Sequence, residues 1–149
     1  MDPHEKTDAP CIRLDSDVVI AGLFSAEGAS HALLVLAEMG LLRVVLPSAA
    51  VEEVTRNLEA KLPEASPLFG RFLAAPWVEI HTPSPAAKNA AAALAHAKDV
   101  LILAAAISAD AAVLVTHNTR HYRRCPNVRV LKPAALLREI RAWMIRFGA

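Results

Sequence analysis

The stretch from Lys98 to Asn118 constrains the fold more than any other part of the chain. Asp99 opens an Ala-rich apolar segment of helical character. An apolar run at 112–115 follows and ends in the polar Thr116-His117-Asn118. A helix feeding a short, wholly apolar strand is the repeating unit of a parallel sheet buried on both faces. The same alternation recurs along the chain. Residues 11–15, 41–46, 77–80 and 128–131 read as further short strands, with helical periodicity between them. The expectation is an α/β fold: a three-layer α/β/α sandwich around a small, mostly parallel sheet.

Local signals set the expected boundaries. Residues 17–25 read as a helix or loop. A helix over 29–39 is closed by Gly40, a natural C-terminal cap. Pro47 closes the second strand, and Ser48 is placed to cap the next helix. Val51, Val54, Leu58 and Leu62 give that helix an apolar stripe, and Pro63 and Pro67 break it. Short helices are expected over 68–75 and 86–96, with Thr82-Pro83-Ser84-Pro85 as a linker between them. Pro133 suits the first turn of a last helix whose inner face is Leu136, Leu137, Ile140, Trp143 and Phe147. Trp77, Phe69 and Phe72 are also assigned to the core.

At 149 residues and 54% hydrophobic content the chain is expected to form one domain, over 11–149, with residues 1–10 as a polar N-terminal tail. Charge interrupts the apolar runs well short of the roughly 20 residues a membrane span needs. The tail lacks the apolar core of a secretion signal, and Cys11 and Cys125 show no metal-type pairing. Both points lead to an expectation of reduced thiols in the cytoplasm. The formal net charge of +1 conceals an asymmetry. Residues 116–149 hold eight basic side chains against the single acid Glu139, while the remainder holds eight against fourteen. An acidic portion suited to metal is thus joined to a basic portion suited to phosphate, an arrangement that fits a nucleic-acid backbone.

Ligands of a parallel sheet bind beyond the carboxyl ends of its strands. Asp15 and Asp17 follow the first strand, Asp99 begins a helix beside the next, and Asn118 follows the run at 112–115. Oxygen donors gathered there suit hard divalent cations, which assist phosphodiester hydrolysis. Each residue also has an ordinary role. Asp15, Asp17 and Asp99 can cap helices, and Asn118 can close a turn. Glu53 lies off the apolar stripe of its helix, so periodicity alone makes it a solvated acid like Glu52. His117 and His121 are four residues apart, but no further ligand joins them at a spacing useful for zinc.

In these residues the chain resembles the PIN-domain family of metal-dependent ribonucleases. Leu14-Asp15-Ser16-Asp17-Val18 is similar to the family's first motif, an Asp, a small residue, then usually Asn. The segment from Pro47 to Val54 is similar to the second and selects Glu53. Lys98-Asp99 with its Ala-rich helix is similar to the third, and Val115-Thr116-His117-Asn118 to the fourth, where Gly-Asp is common. The resemblance runs from about Ile12 to Leu137. It implies a PIN-like domain in which Asp15, Asp17, Glu53, Asp99 and Asn118 form the metal shell, with Asp15, Glu53, Asp99 and Asn118 catalytic. The implied cofactor is Mg²⁺ or Mn²⁺. Two departures redistribute charge: Asn118 stands where an Asp is common, and Asp17 where an Asn is usual.

The activity implied is endonucleolytic cleavage of RNA. Chains of this length also resemble the toxin halves of bacterial toxin–antitoxin pairs, which implies a homodimer and a cognate antitoxin protein as partner. The alternative is a catalytically weak or inactive PIN module that binds RNA or a protein, with Asn118 as the mark of its decay.

Overall fold

The computed structural model describes residues 9–92, 113–122 and 128–147. The first strand, β1 (Cys11–Leu14), runs into helix α1 (Ser16–Phe24), followed by α2 (Ala29–Glu38). Strand β2 (Arg43–Pro47) leads to α3 (Ser48–Lys61) and, after a 3-10 turn, to α4 (Ser66–Leu73). Strand β3 (Val78–His81) and α5 (Pro85–Ala92) follow. Strand β4 (Val113–Val115), a 3-10 turn at Thr119–Tyr122, strand β5 (Arg129–Leu131) and helix α6 (Pro133–Phe147) complete the described residues. Residues 93–96 of the helix expected over 86–96, and the helix expected to start at Asp99, lie outside the described residues.

The strands form one sheet in the order β3-β2-β1-β4-β5, and every pairing is parallel. Parallel neighbours bring equivalent ends together, so all five carboxyl ends lie along one edge. The register places Ile12 between Val44 and Val113, and Leu14 level with Val115. These residues join Val18 and Val19 of α1, Leu33 and Leu34 of α2, Val54 of α3, Phe72 of α4 and Leu136 of α6 in one buried cluster. Because side chains alternate along a strand, the second face carries Arg13 between Val45 and Leu114. All three are buried. Both faces of the sheet are therefore covered, the three-layer α/β/α arrangement expected.

Several local expectations are corrected. Ser48 is the first residue of α3 and not its cap. Pro47 occupies that position, with the extended backbone (φ −61°, ψ 143°) a cap requires. The buried face of α3 is Ala50, Val54 and Leu58, while Leu62 is 39% exposed where the helix has ended. Gly40 does close α2. At φ 84° its N–H donates to the Ala37 carbonyl (2.9 Å), and Leu41 N–H donates to Leu36 (3.0 Å), a Schellman ending that a side chain at 40 would strain.

Trp143 is the main error in the core assignment, since it is 62% exposed. Helix α6 has 15 residues and spans about 22 Å, whereas its neighbour α2 has 10 and spans about 15 Å. The inner face of α6 therefore meets its neighbour at Leu136, Leu137 and Ile140 and overhangs it at Trp143. The side chain of Phe147 lies outside the described residues. Among the described residues no single helix is long and apolar enough to cross a membrane.

Candidate metal centre at the carboxyl edge

The apolar residues of β1 stop at Leu14, and the next residue already lies at the edge of the sheet. Asp15 N–H still donates to the Val115 carbonyl (3.0 Å), which extends the β1–β4 ladder by one rung. The Asp15 backbone is extended (φ −71°, ψ 157°) and caps α1. Its Oδ1 accepts from the Ser16 N–H at 2.7 Å and lies 3.4 Å from the Ser16 hydroxyl. The ordinary capping role and the candidate ligand role thus coincide in one carboxylate. Oδ2 accepts from the Thr116 hydroxyl at 2.7 Å. Thr116 is fully buried and Asp15 is 5% exposed, so this carboxylate is held in one orientation.

The polar residues after β4 complete the group. Asn118 N–H donates to Thr116 Oγ1 at 3.0 Å, which folds the segment back over the strand end. Asp17, in the first turn of α1, reaches the same segment. Its Oδ2 accepts from His117 N–H at 3.3 Å and from the Asn118 side-chain amide at 3.5 Å, and it lies 3.4 Å from His117 Nδ1. Asp17 Oδ1 is buried and makes no hydrogen bond among the described residues. A carboxylate oxygen withdrawn from water with no donor is costly. A hard cation would satisfy it, and carboxylate with amide oxygen is the donor set such an ion takes. The residues present therefore fit a divalent metal.

The structure brings Asp15, Asp17, Thr116 and Asn118 together. Glu53 is exposed in the second turn of α3, which starts from the carboxyl end of β2, and it joins none of the hydrogen bonds of this group. Asp99 lies outside the described residues. Among the described residues no three His, Cys, Asp or Glu side chains are gathered as a metal cluster. His121 packs by a tilted ring contact (6.4 Å) on Tyr122, which is 2% exposed. Sequence reasoning missed how completely Thr116 is tied to Asp15; a hydroxyl at the end of an apolar strand was the available signal. Cys11 sits at the opposite, amino end of β1. Burial raises its pKa against the lowering effect of Arg43 and Arg13, which keeps it a thiol at neutral pH.

A family model for the PIN domain matches residues 12–120. The chain belongs to the PIN-domain family. Two solved structures share the PIN fold described here. One is a chain of VapBC2 from Rickettsia felis bound to a DNA fragment from their promoter. It has 18% identity and a TM-score of 0.66, covering 82% of this chain and 98% of that one. The other is a chain of DNA-bound VapBC from Salmonella typhimurium. It has 18% identity and a TM-score of 0.67, covering 83% and 98%. At such identities the likeness is one of fold. No curated protein matches the chain. PIN domains are generally nucleases, so the chain belongs to a family of nucleases.

Proposed function

We propose that this PIN domain is a Mg²⁺- or Mn²⁺-dependent endoribonuclease and the toxin member of a toxin–antitoxin pair. The observation that carries the reading is the buried, hydrogen-bond-free Asp17 Oδ1 beside the immobilised Asp15 carboxylate. Asp15 and Asp17 would hold the ion, with Asn118 contributing its amide oxygen and with Glu53 and Asp99 completing the shell. When bound, the divalent ion supplies Lewis-acid chemistry for phosphodiester hydrolysis. Thr116 and Ser16 fix the rotamer of Asp15, so little reorganisation is needed when substrate arrives. His117 and Asn118 hold Asp17 Oδ2, and Oδ1 is left without a donor among the described residues. The excess of basic residues over 116–149 supports a polyanionic substrate.

The fold shared with the VapBC chains supports an antitoxin partner, and the same reading includes a homodimer acting on RNA in the cytoplasm. The deciding experiment is RNA cleavage by purified wild type and Asp15→Asn in Mg²⁺ and in Mn²⁺. The wild type cleaves and the variant does not, while both keep the same circular dichroism spectrum. Equal cleavage rates in Mn²⁺ would remove Asp15 from the site, and no cleavage by the wild type in either ion would refute the nuclease assignment.

A further inference from the structure

Helices α2 and α6 pack together in the buried cluster, and a cavity of about 290 Å³ lies between their first turns, lined by Ala29, Ser30, Lys132 and Pro133. Helix α2 leads to the amino end of β2, and α6 follows the carboxyl end of β5, so both run from the acidic edge toward the amino edge. At 1.5 Å per residue, Met39 at the close of α2 is level with Trp143 of α6. The end of α6 therefore projects at the amino edge, away from Asp15 and Asp17. Every residue from Arg141 to Arg146 is exposed, including Trp143, Met144 and Ile145, the last to 79%. At the end of α2, Met39 and Leu41 are exposed as well.

Two properties of this end decide what can cover it. Four successive residues, Ala142 to Ile145, make slightly more than one turn, so apolar side chains emerge on every side of the helix. A helix docked on another protein buries one stripe and keeps its opposite face polar. A helix end that is apolar all round suits a medium that surrounds it. The second property is charge. Exposed Arg138, Arg141 and Arg146 flank the apolar turn, and no acid follows Glu139 in the chain up to Ala149. Glu139 is itself paired with Arg129, and α2 opposes the arginines with Glu38 alone. A second copy would bring the same arginines face to face, and like charges so juxtaposed oppose association. Tryptophan and aliphatic residues bounded by arginines are instead the composition of a helix seated at an anionic lipid interface. The apolar side chains enter the acyl boundary and the arginine stems reach back to the headgroups.

We propose that the projecting end of α6, with Met39 and Leu41 of α2, docks on an anionic membrane surface. Among the described residues no single helix is long and apolar enough to cross a membrane, so the attachment is peripheral and reversible. It holds the acidic edge of the sheet away from the lipid and open to solution. The attachment is independent of whether the protein cleaves RNA.

The full chain is sedimented with vesicles of phosphatidylglycerol and phosphatidylcholine, and with vesicles of phosphatidylcholine alone. It should bind the anionic vesicles, less in high salt, and leave the neutral ones largely unbound. Arg138→Gln and Arg141→Gln should each lower the partition coefficient roughly fivefold, the effect of one basic side chain near such a surface. The double change Trp143→Ser, Ile145→Ser should abolish binding. Both side chains are exposed, so the melting temperature in solution should not move. Wild-type tryptophan emission should shift to the blue on the anionic vesicles. Trp143→Phe should bind without that shift, because Trp77 is packed against Phe72.

Failure to bind anionic vesicles at low salt overturns the proposal. So does equal binding by the double serine variant, which would mean adsorption through charges elsewhere. Light scattering is the remaining arm: a wild-type dimer that the double serine variant dissociates, in a protein that ignores vesicles, would give this surface to a second copy and overturn the proposal too.

Discussion

Arg13 places a guanidinium in the middle of the sheet, fully buried between Val45 and Leu114, and none of its three nitrogens makes a hydrogen bond among the described residues. Burial lowers its pKa below the ordinary arginine value, while Cys11 and Glu79 act weakly in the other direction. Removing one partner of a buried ion pair is strongly destabilising, but among the described residues no carboxylate pairs with this guanidinium, and replacing buried ionic groups with well-packed apolar side chains of similar volume is often neutral or stabilising by about 1–4 kcal/mol. Arg13→Met keeps much of the volume and removes the charge. Taking about 2 kcal/mol as the middle of that range, Tm should rise by about 4–8 °C for a domain of this size.

The pH dependence of the same variant provides an internal check. A base whose folded pKa is lowered binds fewer protons folded than unfolded in the window between the two values. Wild-type stability therefore rises with pH through that window, and below it the penalty is constant. The advantage of Arg13→Met should be complete at neutral pH and shrink as strongly alkaline pH approaches the lowered value. Thermal melts followed by circular dichroism measure both effects. A lower Tm for Arg13→Met than for wild type would refute the reasoning and mean that the guanidinium has found a counter-ion in solution.

Three further outcomes are expected. Thr116→Val removes the hydroxyl that donates to Asp15 and accepts from Asn118, so urea unfolding should show a loss of about 1.5–3 kcal/mol and cleavage should slow, with Thr116→Ser close to wild type. Asn118→Asp adds a carboxylate to the proposed shell and should lower the metal concentration for half-maximal cleavage, while Asp17→Asn should raise it; a midpoint unmoved by both would place both residues outside the shell. A Cβ at position 22 would lie 2.6 Å from Leu34 Cδ1 and 3.1 Å from the Ser30 carbonyl, so Gly22→Ala should cost about 1–3 kcal/mol in a denaturant melt by pushing α2 off α1.

The strands were legible because parallel strands covered on both faces carry unbroken apolar runs, and 112–115 is almost entirely such a run. Their ends shifted where a turn took over. Leu41, expected in the second strand, is 46% exposed and belongs to the close of α2. Asp15 was legible from its place just after an apolar strand. Glu53 is singled out only by the family motif, since it lies on the exposed side of α3, where periodicity gives no signal. Neither the burial of Arg13 nor the cavity beside Lys132 could be inferred, because both depend on which elements become neighbours. The exposure of Trp143 was hidden for a related reason: the apolar stripe of α6 continues past the point where its partner helix ends.

The hydrogen bonds that assemble the acidic group join residues about a hundred positions apart: 101 between Asp15 and Thr116, 100 between Asp17 and His117. This has a consequence for timing. During synthesis at about 5–20 residues per second, Asp15 is made about 5–20 s before Thr116. Contacts of such long range also form late in folding, after the loop between them has been closed. Until β4 docks against β1, the Asp15 carboxylate has its cap on α1 but no Thr116 to fix its second oxygen. The growing chain therefore carries a separated set of ligands, and the complete arrangement arises only with the last central strand of the sheet.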